Sequence, residues 1–227
     1  MSGRLSRWLR DIRSLPHDAA LAYRRGGRGD LWGTLAHRSI YRVCRHGHMV
    51  IIAQTLDSFK QVQPPSGLRI SRLVLEDFPA LGSIVTQREL DAFARQLAEG
   101  MIGLVAWRGG RPIGYTWVAG RLLPFMIPFP LPLPPNAAYL FNLYVLPSER
   151  SSGVGSALVS ARLELARDLG FQEGWRMIAP SNGASLRTVE KTAGHGTRLV
   201  GQVRYVRVLA RVRTWYRPVV EQALHAS

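Results

Sequence analysis

The chain has 227 residues, enough for one large domain or for an ordinary domain with an appendage, and it can bury a core without covalent staples. Its 46% hydrophobic and 20% charged content excludes collagen-like, coiled-coil and wholly disordered classes. Thirty Lys+Arg against fifteen Asp+Glu give +15, and only Lys60 and Lys191 are lysines. Such an excess favours polyanionic partners, whether nucleic acid, anionic lipid or phosphorylated ligands, and says nothing about fold.

The single cysteine, Cys44, excludes an internal disulfide and a cysteine-cluster zinc site, which points to a reducing, cytoplasmic setting. Residues 1–20 lack the unbroken apolar stretch of a secretory signal. Leu5, Trp8, Leu9, Ile12 and Leu15 recur at helical spacing among Arg4, Arg7, Arg10 and Arg13, predicting a basic amphipathic helix. It suits docking on the chain's own domain or peripheral contact with an anionic membrane. A glycine-rich stretch (24–33) precedes a predicted strand at 48–56, and Pro64-Pro65-Ser66-Gly67 reads as a linker. Residues 1–66 thus form a basic N-terminal extension, a helix plus a strand, and residues 67–227 form the principal domain.

Leu68, Ile70 and Leu73 begin a strand, and Glu76-Asp77 open a predicted helix running to about Gln87. A second helix covers 88–99 and closes at Gly100. MIGLVAW and RPIGYTWVAG flank Arg108-Gly109-Gly110-Arg111, the signature of a hairpin. Residues 122–148 carry no charge and are long enough to span a bilayer, but six prolines between Pro124 and Pro135 oppose a spanning helix. AYLFNLYVLP (138–147) reads as a buried strand. Val154, Ala157, Leu158, Ala161, Leu165 and Leu169 mark a helix ending at Gly170. A strand (174–180), a short helix (184–192) and a long strand or hairpin (197–214) follow.

Chemistry concentrates where the 138–147 strand meets Ser148-Glu149-Arg150-Ser151-Ser152-Gly153-Val154-Gly155-Ser156 and then a helix. Such a turn aims successive backbone N–H groups at one point, at the positive end of a helix dipole, and suits a phosphate or pyrophosphate. A phosphate-binding P-loop needs Gly-Lys-Ser/Thr, which is absent. A dinucleotide fingerprint needs glycine where Leu158 stands. A CoA-type pyrophosphate is the ligand left, beside a plain glycine turn that binds nothing.

The segment Arg150-Ser151-Ser152-Gly153-Val154-Gly155 resembles the Arg/Gln-x-x-Gly-x-Gly/Ala motif of the GNAT superfamily of N-acetyltransferases. Leu143 to Pro147 before it, and Asn182-Gly183-Ala184-Ser185 with Glu190-Lys191 after it, extend the similarity over 68 to about 214. The resemblance implies an α/β (α+β) GNAT fold, a central mixed, mostly antiparallel twisted sheet flanked by helices. It implies acetyl-CoA as cosubstrate, held by amides of Ser151, Ser152, Gly153, Val154, Gly155 and Ser156, with Arg150 closing the turn. Backbone groups of Tyr144 and Leu146 would pair with pantetheine, the Val145 amide would polarise the thioester carbonyl, and Asn182 with Ser185 would meet the cofactor arm.

Two positions depart from the family pattern. Asn142 stands where many relatives carry a carboxylate base, and Val189 stands where they often carry an acidic tyrosine. Asn142 and Tyr144 share strand parity, so both are expected at the cleft, with Tyr144 as candidate acid. His195 is a further candidate base. Glu89 and Asp91 are candidates for binding a cationic substrate. Cys44, His46 and His48 lie too close together in sequence to make a metal site without a distant partner, so no metal is expected. The resemblance implies acetyl transfer to a primary amine by direct attack; a catalytically silent acyl-CoA-binding module and a membrane-peripheral acyltransferase stay open beside it. No module for specific nucleic-acid readout is present, and the oligomeric state, monomer or homodimer, is not legible.

Overall fold

The computed structural model describes residues 44–123, 126–127, 131, 133–208 and 211–223. The amphipathic helix expected at the N-terminus lies outside them. A single eight-stranded sheet runs in the order β2-β3-β4-β5-β6-β1-β7-β8. Its strands are β1 (Cys44–Thr55), β2 (Leu68–Arg72), β3 (Ile102–Arg108), β4 (Arg111–Ala119), β5 (Ala137–Val145), β6 (Glu173–Ile178), β7 (Arg198–Val208) and β8 (Arg211–Ala223). Among the described residues four helices join them: α1 (Phe78–Leu81), α2 (Gln87–Ala98), α3 (Val154–Asp168) and α4 (Gly183–Thr192). Only β5 and β6 pair in parallel; every other neighbour is antiparallel.

β3 and β4 are buried along nearly their whole length and mostly apolar, because both of their faces are covered. The turn between them uses Gly109 and Gly110 at φ 55° and 75°, as a tight right-twisted hairpin demands. On one face α3 packs through Val154, Leu158, Leu163 and Ala166 onto Leu104, Ile113, Val118 and Leu140. On the other, α1, α2 and the break between them bring Leu81, Phe93, Ile84 and Val85 onto Val105, Tyr115 and Trp117. The Phe93 ring meets Tyr115 and Trp117 with centroids 5.0 and 5.1 Å away.

The helix expected from Glu76 to Gln87 is instead a 3-10 turn at Leu75–Asp77, the single turn of α1, and a break. Thr86 ends it. Its extended backbone and its reciprocal bonds with Glu89 start α2 afresh, a capping box written in the sequence as Thr-x-x-Glu.

The larger correction concerns β1. The strand expected inside an N-terminal extension lies within the sheet, pairing Val50 with Ile178 on one side and with Gln202 on the other. Ile51, Ile52 and Ala53 are buried, so a boundary at residue 66 cuts through the fold. The segment after β1 does not hang free either. Lys60 N–H donates to the Thr192 carbonyl (3.1 Å) and Val62 N–H to Ser160 Oγ (3.0 Å), strapping 57–66 across α4 and α3. Gly194 makes this strap possible, because a Cβ there would lie 1.7 Å from the Ser58 carbonyl oxygen. Gly194→Ala is therefore expected to cost about 3 kcal/mol, as overpacking against backbone does. Urea denaturation reads it, and an unchanged midpoint would contradict the packing.

The proline-rich loop also has an interior role. Ile127 is buried with Tyr139, Val203 and Tyr205, while Leu131 and Leu133 pack on the same region of the sheet and on Trp175. Among the described residues, no helix is long and apolar enough to cross a membrane.

Candidate functional site

β5 and β6 pair only at Ala137↔Glu173, Ala138↔Gly174 and Tyr139↔Trp175. Beyond Tyr139 they diverge, and β5 continues on β4 alone as far as Val145. The gap so opened leads from the inner end near Tyr139 outward to the turn that enters α3.

Backbone alternation decides which groups of β5 face that gap. Leu146 N–H donates to the Ile113 carbonyl (2.9 Å), so Ile113 and Leu146 form a hydrogen-bonded pair. The next pair, Gly114↔Val145, is then the non-hydrogen-bonded kind, and the Val145 N–H and C=O turn away from β4 toward the gap. The arrangement expected from sequence differs here. Leu146 spends its carbonyl on Glu149 N–H (2.9 Å) as well as its amide on Ile113, and Tyr144 faces β4 through its backbone. Close approach of the two strands requires Gly114, whose Cβ would meet the Tyr144 carbonyl oxygen at 2.6 Å.

A bulge overturns the expected parity of Asn142 and Tyr144. The β4–β5 register slips between Tyr115 and Trp117, and Asn142 takes φ 54°, a left-handed conformation that asparagine tolerates better than most residues. Phe141 and Tyr144 consequently share the α1/α2 face, where the Tyr144 ring stacks on Tyr115 at 5.3 Å, while Asn142 is exposed.

The turn itself is built as the motif predicts. Ser151 and Gly153 are left-handed at φ 63° and 85°, and Gly153 is the N-cap of α3 without any side-chain cap. The Ala157 amide is the first in α3 to find a carbonyl, that of Gly153 (3.0 Å). Val154, Gly155 and Ser156 head the helix with no preceding carbonyl to take, and no described acceptor meets their amides. Arg150 folds back so that Nε donates to the Val145 carbonyl (3.3 Å), and Ser152 Oγ donates to the Glu149 carbonyl (2.7 Å). Glu149 in turn pairs with Arg108, tying the turn to the end of β3. The result is a rigid nest of donors at the mouth of the gap, beside the positive end of a fifteen-residue helix.

α4 forms the opposite wall. Thr188 Cγ2 lies 3.7 Å from where a Gly155 Cβ would stand. Asn182 caps this helix, its Oδ1 accepting from Ser185 N–H (3.1 Å), which commits one end of the amide to folding. Val189 is buried with Ile52 and Ile178 beneath α4. His195 is exposed on the turn that packs through Gly194 on Ser58. Glu89 accepts from the Thr86 amide and hydroxyl, and Asp91 from Gln87 Nε2 (3.0 Å), so both carboxylates serve α2 itself. His48 Nε2 lies 3.1 Å from Gln202 Oε1, and among the described residues no group of three or more His, Cys, Asp or Glu is arranged to hold a metal.

Sequence reading missed two arginines beneath α3. Arg162 and Arg176 are 3% and 2% exposed, and a helix-surface pattern gave no sign of it.

With the geometry in place, the family comparison decides. The acetyltransferase (GNAT) family model matches residues 68–195, more than half of the chain. The chain belongs to the GNAT family. The chemistry of that family is acetyl transfer. A comparison with curated proteins finds no match. Among solved structures, a Drosophila protein is 18% identical with a TM-score of 0.51, covering 83% of this chain and 57% of that one. The GNAT chain here therefore spans little more than half of that protein's length. A GCN5-related glucosamine N-acetyltransferase region in a fungal multi-domain β-N-acetylglucosaminidase is 14% identical with a TM-score of 0.50, covering 77% and 22%. An N-acetyltransferase from Staphylococcus aureus is 20% identical, covering 56% and 82%, with a TM-score of 0.44. The GNAT family match spans β2 to the turn after α4; β1, β7 and β8 lie outside it.

Proposed function

We propose that this protein transfers acetyl from acetyl-CoA to a primary amine by direct attack. The observation that carries the reading is the donor nest of residues 150–156 opening onto the gap between β5 and β6. Amides of Ser151 to Ser156 would hold the pyrophosphate, with Gly153 and Gly155 allowing it against the backbone. The pantetheine arm would then lie in the gap, between β5 and Thr188 of α4, with the Nδ2 amide of Asn182 nearby. The Val145 N–H, turned into the gap, would donate to the thioester carbonyl oxygen as charge develops there, the largest electrostatic contribution to acyl transfer. The acceptor amine approaches from the α1/α2 side, where Tyr144 is the candidate acid for the departing thiolate.

Titration with acetyl-CoA tests the reading, and no binding at millimolar cofactor would end it. A second expectation concerns pH. Asn142 cannot accept the amine's proton, Glu89 and Asp91 accept bonds at the start of α2 and His195 is exposed on a turn, so either the amine arrives neutral or a base acts through water, and we adopt the first. The neutral fraction of a free amine rises with pH, is half at the amine's own pKa and levels off above it. Hence kcat/KM is expected to rise with pH, with a midpoint that follows the pKa of each amine tested. A single midpoint shared by two amines of different basicity would reveal an enzyme base.

A further inference from the structure

The three strands at the far end of the sheet, β1, β7 and β8, carry a second concentration of charge. β7 keeps an unbroken register from Gly201 to Val208 against both neighbours, so residues directly opposite one another share a face. One row across the strands is His48, Arg204 and Trp215, and the adjacent row is His46, Val206 and Arg213. Val208 faces Arg211 on one side of these rows, and Gln202 faces Arg217 on the other. This is the face that α4 covers further along β1, where Val50 packs with Ile52 and Val189. The reverse face is closed by Ile127 of the proline-rich loop, which packs with Val203 and Tyr205. Beyond Val50 the first face is open among the described residues. Arg204, Arg211, Arg213 and Arg217 are exposed along it, and Trp215 and Val208 are 53% and 48% exposed. The ion pairs of the described residues take Arg108, Arg121, Arg167 and Arg198, and none of these four. No carboxylate stands in the rows. Like charges at neighbouring positions of one sheet face repel, so guanidiniums gathered without an acid favour a polyanion.

We propose that this face of β1, β7 and β8 is a docking surface for single-stranded nucleic acid, with Trp215 as a stacking platform and Arg204, Arg211, Arg213 and Arg217 on the phosphates. The pattern along β8 decides between polyanions. Arg211, Arg213, Trp215 and Arg217 rise on one face in steps of about 7 Å, and Arg204 stands directly across from the ring, so the aromatic is interleaved with cations instead of set apart from them. That is the combination that holds a single strand, whose backbone follows the charges while an unstacked base lies on the ring. In a duplex the bases are already stacked on one another and offer no face to Trp215. Anionic lipid is the poorer fit, because binding at a lipid interface scales with the apolar area inserted, and this face exposes only one indole and one valine among its charges. Base stacking needs a single ring. Contacts of this kind tolerate any sequence, in keeping with a chain that has no module for specific readout. The surface is independent of the cofactor reading, since β6 lies between it and the β5–β6 gap.

Fluorescence anisotropy of the full chain with a labelled oligothymidylate of about twelve nucleotides tests the surface. Affinity is expected to fall about fiftyfold between about 50 and 200 mM salt, the loss that four phosphate contacts give on a single strand. Trp215→Ala should weaken binding about tenfold with the salt slope unchanged, whereas Arg213→Gln should weaken it and make the slope shallower. Both side chains are exposed, so melting temperatures should hold. Arg88→Gln, which removes the same charge from an exposed position on α2, should leave the affinity nearly as it was. Failure to bind at the lower salt overturns the proposal, as does full affinity in Trp215→Ala, or a loss in Arg88→Gln equal to that in Arg213→Gln. A duplex of the same length bound as tightly would overturn the single-strand assignment. Pelleting with anionic vesicles while the oligonucleotide stays free would give the face to a membrane. Stoichiometric CoA is expected to leave the oligonucleotide bound; its displacement would put the strand at the donor nest and overturn the placement on this face, whereas a failure of CoA to bind leaves the oligonucleotide result standing.

Discussion

A chain that begins at Gly67 is expected not to fold. It lacks β1, and β1 is the sole strand joining the β7–β8 hairpin to β6. Its removal unpairs two interior edges at once, strips Ile52, Gln54 and Leu56 from the face shared with α3 and α4, and strips Ile51 and Ala53 from the other face, where they pack with Ala137 and Trp175. Burial of the four apolar ones contributes about 1 to 3 kcal/mol each, comparable in sum to the whole net stability of a domain. Size-exclusion chromatography and near-ultraviolet circular dichroism read the outcome, which should be aggregated material without fixed tertiary signals. A monomeric product with a cooperative melt would show that β2 to β6 stand alone and that residues 67 onward form a domain in their own right. Ile51→Ala is the milder companion, expected to cost about 2 to 5 kcal/mol through the cavity it leaves.

Gly153→Val is expected to weaken CoA binding severely while leaving the chain folded. Gly153 caps α3 at φ 85°, where a β-branched residue is a backbone outlier, and its Cβ would stand 3.1 Å from Pro65 Cγ. Relief of either strain rotates the peptide planes that aim the amides of Val154, Gly155 and Ser156 at one point. The stability cost is about 1 to 2 kcal/mol, since the turn sits at the surface end of the helix. Affinity should fall by two orders of magnitude or so, because several charge-assisted bonds to the pyrophosphate lose alignment together. Calorimetric titration with CoA, beside a thermal melt, separates the two effects. Retained affinity at a lowered melting temperature would mean that these amides are not the anchor.

The parts of the site that could be read in advance are those whose geometry is local. Arg150 to Gly155 specify their own turn, since the two left-handed residues and the helix start lie within a few residues of one another. Asn182-x-x-Ser185 likewise specifies its own cap. What escaped depends on partners distant in sequence. Nothing in residues 44–55 says that they insert between strands more than a hundred positions away. Strict alternation along β5 placed Asn142 beside Tyr144 because the bulge that separates them is a property of the β4–β5 pair. Reading α3 as a striped helix concealed Arg162. The helix buries Val159, Ser160, Arg162 and Leu163 in addition to most of the stripe, while Leu169, assigned to the stripe, is 44% exposed. A helix roofed by the 57–66 strap as well as floored by the sheet has more than one inner face, and hydrophobic periodicity assumes a single one.

The far end of the sheet gives the positive charge of the last segment a use independent of any ligand. β8 is the outermost strand, and the side chains of Arg211, Arg213 and Arg217 are exposed along it, with Pro218 interrupting its run of donors. A long outer strand is a template onto which a second chain can add its own backbone, the first step toward runaway association. Two such strands carrying several guanidiniums each repel before their amides can meet, and a proline leaves a missing bond wherever they do. The arginines of the C-terminal hairpin thus oppose the joining of one eight-stranded sheet to another along this edge.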